Sequence, residues 1–226
     1  MGAHHITDKN PRFFYDVKDF SFLNPLVQNF EGIKTELLAL LEKHKEEQWM
    51  ETFPHYVDSD KKKAWQVFSF IFFGMKFPNN AALCPETAKL IYSIPDILSC
   101  DYSFLKPNTH IEPHKGYTRM VLRCHLPLIV PPGHHCHLRV GDETREWEEG
   151  KLMIFDDSFE HEAWNKSDKD RVVLMFDIPN PLWNYTAEEI SKYKIENIDD
   201  PFLLSMMTKE KWLEAYKKGV FPGGSV

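Results

Sequence analysis

Two histidines and one arginine in the middle of the sequence are candidates for a metal site beside an anion site. His114 closes the segment THIEPH, and His161 lies in FDDSFEHEAW, where one predicted strand ends and the next begins. Arg171 opens the apolar segment RVVLMFDI shortly afterwards. Imidazole is a common ligand of divalent transition metals, and a charged group leading into a core strand is costly unless it is paired. We therefore expect a metal on the histidines and a bound anion on the arginine.

The combination fits an iron(II) centre that works with 2-oxoglutarate and O2. Such a centre needs few protein ligands, because positions on the metal must stay open for co-substrate and oxygen. 2-Oxoglutarate binds iron through its keto-acid end, so its far carboxylate must meet a fixed cation. The planar guanidinium of arginine pairs bidentately with a carboxylate and stays charged. The expected cofactor is iron(II), with 2-oxoglutarate and O2 as co-substrates.

Strand alternation adds two further candidates. In residues 119–126, Arg123 and His125 share a face with Arg119 and Val121, and the apolar residues lie on the other face. The polar face of an antiparallel strand often simply meets water. If this face lines the interior of a barrel instead, Arg123 and His125 become contacts of the co-substrate.

The strands that must position these residues begin near Cys100. From there, short apolar segments follow one another, separated by Pro, Gly or charged turns, and a strand leads into His114. Several strands at roughly 8–12-residue spacing indicate a sandwich or barrel. The other predicted strands cover residues 100–105, 119–130, 135–140, 143–147, 151–155, 161–165 and 170–177.

Helical patterns flank this region. Apolar residues at helical spacing predict one long amphipathic helix over 26–49, with an exposed, charged later part. Residues 85–94 predict another helix, since it begins with proline, which suits a first helical turn. Residues 186–193 and 209–218 predict two more. Trp65–Phe73 is aromatic and β-branched and predicts a strand.

Three phrases resemble the catalytic domain of the aspartyl/asparaginyl β-hydroxylase family, which also includes lipid A hydroxylases and free-amino-acid hydroxylases. They are S-x-L-x-P-x-T-H-x-x-P-H-x-G at 103–116, L-R-C-H-L at 122–126 and E-T-R-E-W-E-E-G-K-L-M-I-F-D-D-S-F-E-H-E-A-W at 143–164. The last is long and very characteristic. With a weaker similarity over 65–94, the resemblance covers about half of the chain and implies an Fe(II)/2-oxoglutarate-dependent hydroxylase.

The resemblance assigns three residues to the iron. It implies that His114 and His161 bind the metal, and that Asp157 holds an iron-bound water by hydrogen bonding, as outer groups of a metal site do. Most 2-oxoglutarate oxygenases carry a carboxylate two residues after the first histidine, whereas this chain has Gly116 there. The family shares that glycine. Halogenases also lack the carboxylate, because halide fills the vacant position, so a halogenase stays open as an alternative.

The resemblance assigns four residues to the co-substrate. Arg171 would pair with the C5 carboxylate of 2-oxoglutarate, with Ser103 nearby, and Arg123 and His125 would contact the iron-chelating end. The remaining alternative is a non-catalytic cupin-like binding protein. The intact histidines and Arg171 argue against it, since a protein without turnover has no reason to keep an anion anchor.

The implied fold is an all-β core with flanking helices. It is a double-stranded β-helix (jelly roll, cupin-like) preceded and followed by α-helices. The sequence shows no repeat, low-complexity tract or linker, so we expect a single oxygenase domain over 1–226. Residues 1–99 would supply N-terminal helices and a supporting strand, 100–181 the core, and 182–226 the C-terminal helices.

The expected reaction is hydroxylation of an unactivated C–H bond in a small molecule or short peptide. Family relatives that act on secreted protein domains or on lipids carry extra modules or membrane segments, which 226 residues do not hold. Excluding secreted protein domains and lipids as substrates leaves a free amino acid, a small peptide or a carrier-bound residue. The helices after Pro181 and the loop around Phe77–Ala82 are expected to set specificity, because loops on a rigid scaffold usually carry it.

Composition narrows the partners and the compartment. A formal net charge of −7 and a pI near 5.9 argue against nucleic-acid binding, and Lys61–Lys63 is interpreted as a solvated turn. Met1–Asn10 has no apolar core of a signal peptide, and no apolar run approaches membrane-spanning length. The 4 cysteines lack CxxC spacing. These features favour reduced thiols in a cytoplasmic protein with no membrane partner, and they leave the oligomeric state open.

Other polar residues near the motifs are assigned structural roles. His134–His137 is crowded with potential ligands, but neighbouring strand residues point to opposite faces, so a surface hairpin is favoured over zinc. His110 is interpreted as a pocket wall or a satisfied structural histidine. Glu160 and Glu162 point away from the metal by alternation. Asp156 is expected to fix the local backbone. Trp147 and Trp164 are expected to be packing residues.

Overall fold

Two antiparallel sheets face each other in the computed structural model, which describes residues 12–43, 49–58 and 63–222. The strands of the described residues are β1 (Phe14–Tyr15), β2 (Met50–Glu51), β3 (Val57–Asp58), β4 (Trp65–Phe72), β5 (Met75–Lys76), β6 (Ser99–Leu105), β7 (Thr109–His114), β8 (Val121–Ile129), β9 (Cys136–Val140), β10 (Glu143–Glu146), β11 (Met153–Phe155), β12 (His161–Asn165) and β13 (Arg171–Pro179). The larger sheet has the order β1-β11-β8-β13-β6-β4-β2, with β5 paired to β4, and the smaller sheet has the order β10-β9-β12-β7-β3.

Strands β6 to β13 form a double-stranded β-helix. β6, β13, β8 and β11 lie side by side in the larger sheet, and β7, β12, β9 and β10 lie side by side in the smaller one. The chain passes repeatedly from one sheet to the other, so two antiparallel layers enclose one interior. The predicted all-β core with helices before and after it is confirmed, and each predicted strand of the core agrees with an observed strand to within two residues at either end.

Helices cover the outer face of the larger sheet and follow the core. The described helices are α1 (Asn24–Gln28), α2 (Phe30–Lys43), α3 (Pro78–Leu83), α4 (Pro85–Ser93), α5 (Ala187–Glu196), α6 (Pro201–Met206) and α7 (Lys209–Lys218), with 3-10 segments at Val17–Leu23 and Pro54–Tyr56. Leu37 of α2 and Ile91 of α4 share one buried cluster with Leu122, Cys124 and Leu126 of β8. The apolar face of β8 therefore meets the helices, and its polar face is left for the interior between the sheets.

The single long helix predicted over 26–49 is wrong. α1 ends at Gln28 and α2 begins at Phe30, because the side chain of Asn29 donates to the carbonyl of Pro25 and its backbone leaves the helical region. The described part of α2 ends at Lys43, and Trp49 lies outside it, directly before β2. Residues 44–48, which hold most of the charged stretch predicted to be exposed, lie outside the described residues, as does most of the lysine run at 61–63.

The segment around Phe77–Ala82 is a helix and not the predicted loop. Pro78 begins α3, where a proline costs no hydrogen bond. Asn80 is buried and donates to the Ser69 carbonyl of β4 at 2.8 Å, and Phe77 stacks on Phe221 with ring centroids 4.5 Å apart. The segment is therefore fixed against β4 and the C-terminal residues.

The C-terminal helices begin at well-formed caps. The side chain of Thr186 caps α5 in a reciprocal capping box with Glu189, and Asp200 and Thr208 cap α6 and α7. Trp212 is fully buried and donates its indole N–H to the Leu203 carbonyl at 3.0 Å, which ties α7 to α6. Helix α6 was not predicted, because its only start signal is one Asp-Pro pair and it spans 6 residues.

The cysteines agree with the expectation of reduced thiols. All four cysteines, Cys84, Cys100, Cys124 and Cys136, are buried free thiols. Within the described ranges, no helix has both the length and the apolar character that a bilayer crossing requires.

Candidate metal and co-substrate site

His114 and His161 face each other across two neighbouring strands of the smaller sheet. His114 ends β7 and His161 begins β12, where the two residues are directly opposite in the strand register. Their ring centroids are 4.2 Å apart, and a register shift directly after His161 breaks the regular pairing there. Bulges of this kind re-aim side chains beside functional sites. The structure thus brings together the two histidines that the sequence predicts as metal ligands.

Both imidazoles have the protonation that metal binding requires. Nδ1 of His114 donates to the Glu112 carbonyl at 2.7 Å, and Nδ1 of His161 donates to the Phe159 carbonyl at 3.0 Å. A carbonyl only accepts, so each proton lies on Nδ1 and each Nε2 keeps its lone pair. Burial, then the nearby His161, lowers the pKa of His114 to about 3, and burial lowers the pKa of His161 to about 4. Both rings are therefore neutral at physiological pH, as metal-binding imidazoles are.

Asp157 fills the space beside Gly116. The Gly116 amide donates to the Asp157 carbonyl at 2.7 Å, and a Cβ built on Gly116 would lie 2.5 Å from the carboxylate carbon of Asp157. The Asp157 carboxylate is buried, with Oδ2 3.4 Å from Nη2 of Arg123 and with Oδ1 lacking any hydrogen-bond partner among the described residues. Burial raises its pKa, although Arg123 opposes that shift. A carboxylate thus stands next to the position from which a ligand side chain at residue 116 would project.

Arg171 is a buried cation without a counter-ion among the described residues. It is 2% exposed, its Nε has no hydrogen-bond partner in the described chain, and Nη1 makes a long contact of 3.5 Å to the Ser103 carbonyl. Its guanidinium lies 4.6 Å above the Trp147 ring, and burial lowers its pKa to about 10. An isolated buried charge is strongly unfavourable. The site therefore has a free place for an anion.

His125 is close enough to both Arg171 and His161 to feel their charges. Its Nδ1 accepts a hydrogen bond from the Trp147 indole at 3.1 Å, and its buried Nε2 has no partner among the described residues. Burial lowers its pKa, and the positive charges of Arg171 and Arg123 add to that effect. Trp147 was predicted only to pack, but it both orients His125 and lies against Arg171.

Ser103 lies on β6 beside the same interior. Its hydroxyl accepts a hydrogen bond from the Trp65 indole at 3.0 Å, and its carbonyl is the one that Arg171 contacts. Ser103 is 2% exposed. The predicted proximity of Ser103 to Arg171 is therefore present in the structure, and its contact with a co-substrate stays a prediction.

Arg123 is the centre of an ion-pair network. It binds Asp177 with two hydrogen bonds, from Nε at 2.9 Å and Nη2 at 3.1 Å, and it also reaches Asp157. Lys194 of α5 lies 3.7 Å from Asp177. Burial alone would raise the pKa of Asp177, but Arg123 and Lys194 outweigh it and hold the pKa below its ordinary value. Arg123 faces the interior, which strand alternation alone left open. The role in co-substrate binding that the resemblance implies for it stays a prediction.

A cavity connects this site with the C-terminal helices. His114, Arg123 and Asp157 line one part of it. The apolar part of the wall is built by Val67, Phe72, Phe73, Met175, Phe202, Leu203 and Met206. The helices after Pro181 thus contribute to the wall as predicted, whereas residues 77–82 contribute nothing to it. That this segment sets specificity stays a prediction, and α3 is held against β4 through Asn80.

The histidine-rich hairpin does not form a convergent metal site. His134 and His137 both approach Glu146, while Cys136 is buried and donates its thiol to Asn165 at 3.4 Å. His135 is exposed. Among the described residues, no group of three or more His, Cys, Asp or Glu side chains has an arrangement that could hold a metal ion. The preferred interpretation as a surface hairpin agrees with this geometry.

The other residues with expected structural roles have such roles. His110 binds Glu162 at 2.8 Å and stacks on Trp164 with ring centroids 5.1 Å apart. Glu162 also pairs with Arg139, which reaches Glu160 as well, so both glutamates point away from His161. The Asp156 carboxylate accepts a hydrogen bond from the Ser158 amide at 3.0 Å and fixes the turn, as predicted.

Sequence reasoning missed several residues of the site. Tyr56 stacks on His114 with ring centroids 4.5 Å apart, although it comes from a short 3-10 segment far away in sequence. Trp65 supports Ser103 from β4. Asp101 and Asp177 line the cavity, and strand alternation does place them on the inward faces of β6 and β13 with Ser103 and Arg171. Strand alternation could have identified Asp101 and Asp177 from the sequence, whereas no sequence pattern pointed to Tyr56.

The side chains present fit an iron ion with 2-oxoglutarate. Two neutral imidazoles with free Nε2 atoms suit iron(II), and Arg171, buried without a counter-ion, suits the far carboxylate of the co-substrate. His125 adds a buried nitrogen that has no partner among the described residues. The donor set thus agrees with the group that the sequence predicts.

The fold and this site together define a jelly-roll protein with a candidate metal site. The chain belongs to the aspartyl/asparaginyl β-hydroxylase family, whose model matches residues 27–181. It is 36% identical over 174 residues to an ornithine lipid ester-linked acyl 2-hydroxylase of Rhizobium tropici, across 74% of this chain and 60% of the relative. It is 35% identical over 161 residues to human aspartyl/asparaginyl β-hydroxylase, across 69% of this chain and 21% of the relative. The chain therefore spans less than two thirds of either protein.

A solved structure with a similar fold is a prolyl-4-hydroxylase of Pseudomonas putida. It shares 14% sequence identity with this chain and aligns with a TM-score of 0.46, over 66% of this chain and 87% of that one.

Proposed function

We propose that this protein is an Fe(II)/2-oxoglutarate-dependent hydroxylase. In the proposed reaction, substrate, 2-oxoglutarate and O2 give hydroxylated substrate, succinate and CO2, with one oxygen atom going to each organic product. The observation that carries the proposal is Arg171, a buried and unpaired guanidinium on the same interior as two neutral histidines. A buried cation of this kind is stabilised by a bound anion.

Each side chain of the site has a definable task. His114 and His161 would hold the iron through Nε2, with the Glu112 and Phe159 carbonyls fixing their orientation. Arg171 and Ser103 would bind the far carboxylate of 2-oxoglutarate, and His125 and Arg123 would face its other end. When bound, the iron supplies the activation of O2 that breaks an unactivated C–H bond. The protein supplies placement and exclusion of water.

Asp157 favours hydroxylation over halogenation. Its carboxylate occupies the space beside Gly116, where a Cβ would lie 2.5 Å from it. A buried carboxylate repels a halide ion, so a halogenase would be expected to leave this space without a negative group. A product assay with and without chloride separates the two reactions, and a chlorinated product would contradict the preference for hydroxylation.

The proposed substrate is a free amino acid, a small peptide or a carrier-bound residue. A specific observation supports a second candidate, an aliphatic acyl chain, because the cavity wall towards α6 is built by Phe202, Leu203 and Met206. The names of the relatives point in both directions, since one is an acyl 2-hydroxylase and another an aspartyl/asparaginyl hydroxylase. A screen that measures succinate release with both classes distinguishes them.

We further propose that the described parts of the chain work as one domain in a small-molecule pathway of the cytoplasm. Residues from all three predicted regions line the cavity, for example Thr52, Met175 and Leu203. Removal of α5–α7 should therefore abolish substrate turnover.

Anaerobic titration of iron(II) into 2-oxoglutarate-loaded protein tests the proposed cofactors. Chelation of the metal by the keto acid gives a weak visible charge-transfer band. We expect the band in the parent protein and its loss in His161→Ala and Arg171→Ala. Matched controls are His135→Ala and Arg145→Ala, which remove an exposed histidine and an exposed arginine and should leave the band unchanged.

One outcome would contradict the proposed site directly. If no band forms and the His161→Ala protein binds iron as well as the parent, the metal is held elsewhere, and the hairpin with His134 and His137 becomes the first place to examine. A family fold without this chemistry would then be the remaining explanation.

A further inference from the structure

A buried carboxyl group with an unpartnered oxygen lies in the cavity wall, on the larger sheet and apart from the histidines. Asp101 is in the middle of β6, is 5% exposed and lines the cavity wall. Its Oδ1 has no hydrogen-bond partner among the described residues. Burial raises the pKa of Asp101 to about 7, and the neighbouring Asp177 adds to that effect. A buried acceptor without a partner is costly, so it calls for an explanation.

A second polar atom without a partner lies beside it. Ser69 of β4 is directly opposite Asp101 in the strand register, is 3% exposed and lines the same cavity. Its hydroxyl helps to stabilise the ionised carboxylate of Asp101. Nevertheless, neither Ser69 Oγ nor Asp101 Oδ1 forms a hydrogen bond of good geometry within the described chain. Two adjacent strands thus present an acceptor and a hydroxyl to the same space.

The charges of the cavity do not neutralise Asp101. Asp177 is bound by Arg123 and Lys194, and Arg123 also reaches Asp157. The half-buried Arg123 and the buried Lys194 therefore serve two carboxylates, and Asp101 is a third carboxylate among the described residues of the wall. Arg123 acts on it only weakly, after burial, Ser69 and Asp177. A ligand that brings one positive charge would complete the balance.

The position of Asp101 separates it from the anion site. Asp101 is paired with Met175, which lies four residues after Arg171 on β13, so the two charged residues are about 13 Å apart along the sheet. The apolar walls of Phe72, Phe73 and Leu203 lie in the same cavity. A molecule can therefore place a cationic group on Asp101 and an apolar arm along these walls while Arg171 holds a different ligand.

We infer that Asp101 and Ser69 bind a primary ammonium group of the substrate, and that the substrate carries an apolar arm which lies along the aromatic walls of the cavity. The ammonium donates to Asp101 Oδ1 and to Ser69 Oγ, and its charge matches the carboxylate that has no counter-ion. A neutral alcohol supplies one donor but no charge, and an anionic group is repelled. This assignment rests on the proposed function, because it takes the cavity to be the substrate chamber, and it narrows the substrates to amines.

Binding of two probes to the full-length, metal-free protein tests the assignment. n-Hexylammonium and hexan-1-ol have arms of the same length and differ in charge, and Trp65 in the cavity wall provides a fluorescence signal. We expect n-hexylammonium to bind at least tenfold more tightly than hexan-1-ol. Asp101→Asn should abolish that difference, and Asp142→Asn, which removes an exposed carboxylate from a turn, should preserve it.

A second variant keeps the carboxylate in place. Ser69→Ala should weaken n-hexylammonium several-fold and still leave it tighter than hexan-1-ol. Equal affinity of the two probes in the parent protein would overturn the assignment, as would an undiminished preference in Asp101→Asn or the failure of both probes to bind.

The outcome is independent of the oxygenase chemistry. Arg171→Ala should lose the charge-transfer band and keep the n-hexylammonium preference, whereas Asp101→Asn should keep the band and lose the preference. If the parent protein gives no charge-transfer band but still prefers n-hexylammonium to hexan-1-ol, only the proposed function is refuted. A normal band without any preference would refute the ammonium site alone.

Discussion

At the scale of single residues, the site depends on groups whose partners are missing. Arg171, Asp101 and His125 are all buried, and each has an atom without a hydrogen-bond partner in the described chain. Their neighbours Arg123 and Asp177 are fully paired with each other. A stable fold rarely leaves buried polar groups unsatisfied. We therefore interpret the paired side chains as structural and the unpaired ones as candidates for ligand binding.

Replacement of Gly116 by alanine should disturb the site. The added Cβ would lie 2.5 Å from the Asp157 carboxylate, so one of the two residues must move. We expect Gly116→Ala to lower the free energy of unfolding by about 1–3 kcal/mol and to reduce succinate production strongly. Urea unfolding and a coupled succinate assay measure the two effects.

A glycine in an open position provides the matched control. A Cβ on Gly32, in α2, would meet no heavy atom within 4 Å. Gly32→Ala should therefore raise the free energy of unfolding by about 0.5–1 kcal/mol through helix propensity, with activity unchanged. Equal behaviour of the two variants would show that the contact between residue 116 and Asp157 is unimportant.

The unpaired carboxylate of Asp101 should make stability depend on pH. Its pKa is raised to about 7 in the folded protein and lies near 3.9 in an unfolded chain. The folded state therefore binds the proton more strongly, and the stability that this proton gives is present below pH 4 and is lost as pH rises towards 7. Asp101→Asn carries no such charge, so its advantage over the parent should grow by about 2–4 kcal/mol between pH 4 and pH 7.5.

Urea unfolding of both proteins across that range gives the measurement. Asp142→Asn, at an exposed position, should follow the parent at every pH. A constant difference between Asp101→Asn and the parent would mean that Asp101 titrates normally.

The residues of the site were predictable to the extent that they lie in characteristic motifs. His114, His161 and Asp157 belong to long phrases that the sequence shows directly, and the structure places them around Gly116. Asp101 is in no such phrase. Its importance follows from the absence of a cation that pairs with it among the described residues, which the sequence does not show. Tyr56 stacks on His114 from a distant segment. Contacts of this kind depend on tertiary packing, which no local pattern encodes.

At the scale of elements, the strands were predicted well because alternation and turns are local signals. β6 and β12 agree closely with the predicted bounds. The helix over 26–49 failed because one side chain, Asn29, binds its own backbone and ends α1. α3 and α6 were missed because each spans 6 residues, too few for a periodic pattern to emerge.

The capping box of α5 should contribute measurable stability. Thr186 and Glu189 satisfy each other's backbone groups at the start of the helix that carries Lys194. Thr186→Ala should lower the free energy of unfolding by about 1 kcal/mol. Thr35→Ala makes the same chemical change on the exposed face of α2, where the hydroxyl only bonds the Glu31 carbonyl, and should change stability by less than about 0.5 kcal/mol. Similar losses in both would mean that the cap adds nothing.

At the scale of the whole molecule, two buried groups of opposite charge lack partners among the described residues of the larger sheet. Positive charge lies at Arg171 and negative charge at Asp101, on neighbouring strands of one sheet. Neither charge is neutralised by a charged partner within ion-pair distance among the described residues. The ligand-free molecule is therefore less stable than its fold allows, and bound ligands should stabilise it as a whole.

Thermal unfolding with 2-oxoglutarate tests this coupling. A ligand that binds only the folded state stabilises it by about 2.7 kcal/mol at one hundred times its Kd, which raises Tm by about 5–10 °C for a chain of this size. We expect this shift in the parent protein and in Arg145→Ala, and its absence in Arg171→Ala. Acetate tests the reach of the anion site, since its single carboxylate on a short chain should stabilise the parent less than 2-oxoglutarate does. An equal shift in Arg171→Ala would show that the co-substrate is held by other cations, with Arg123 as the first to examine.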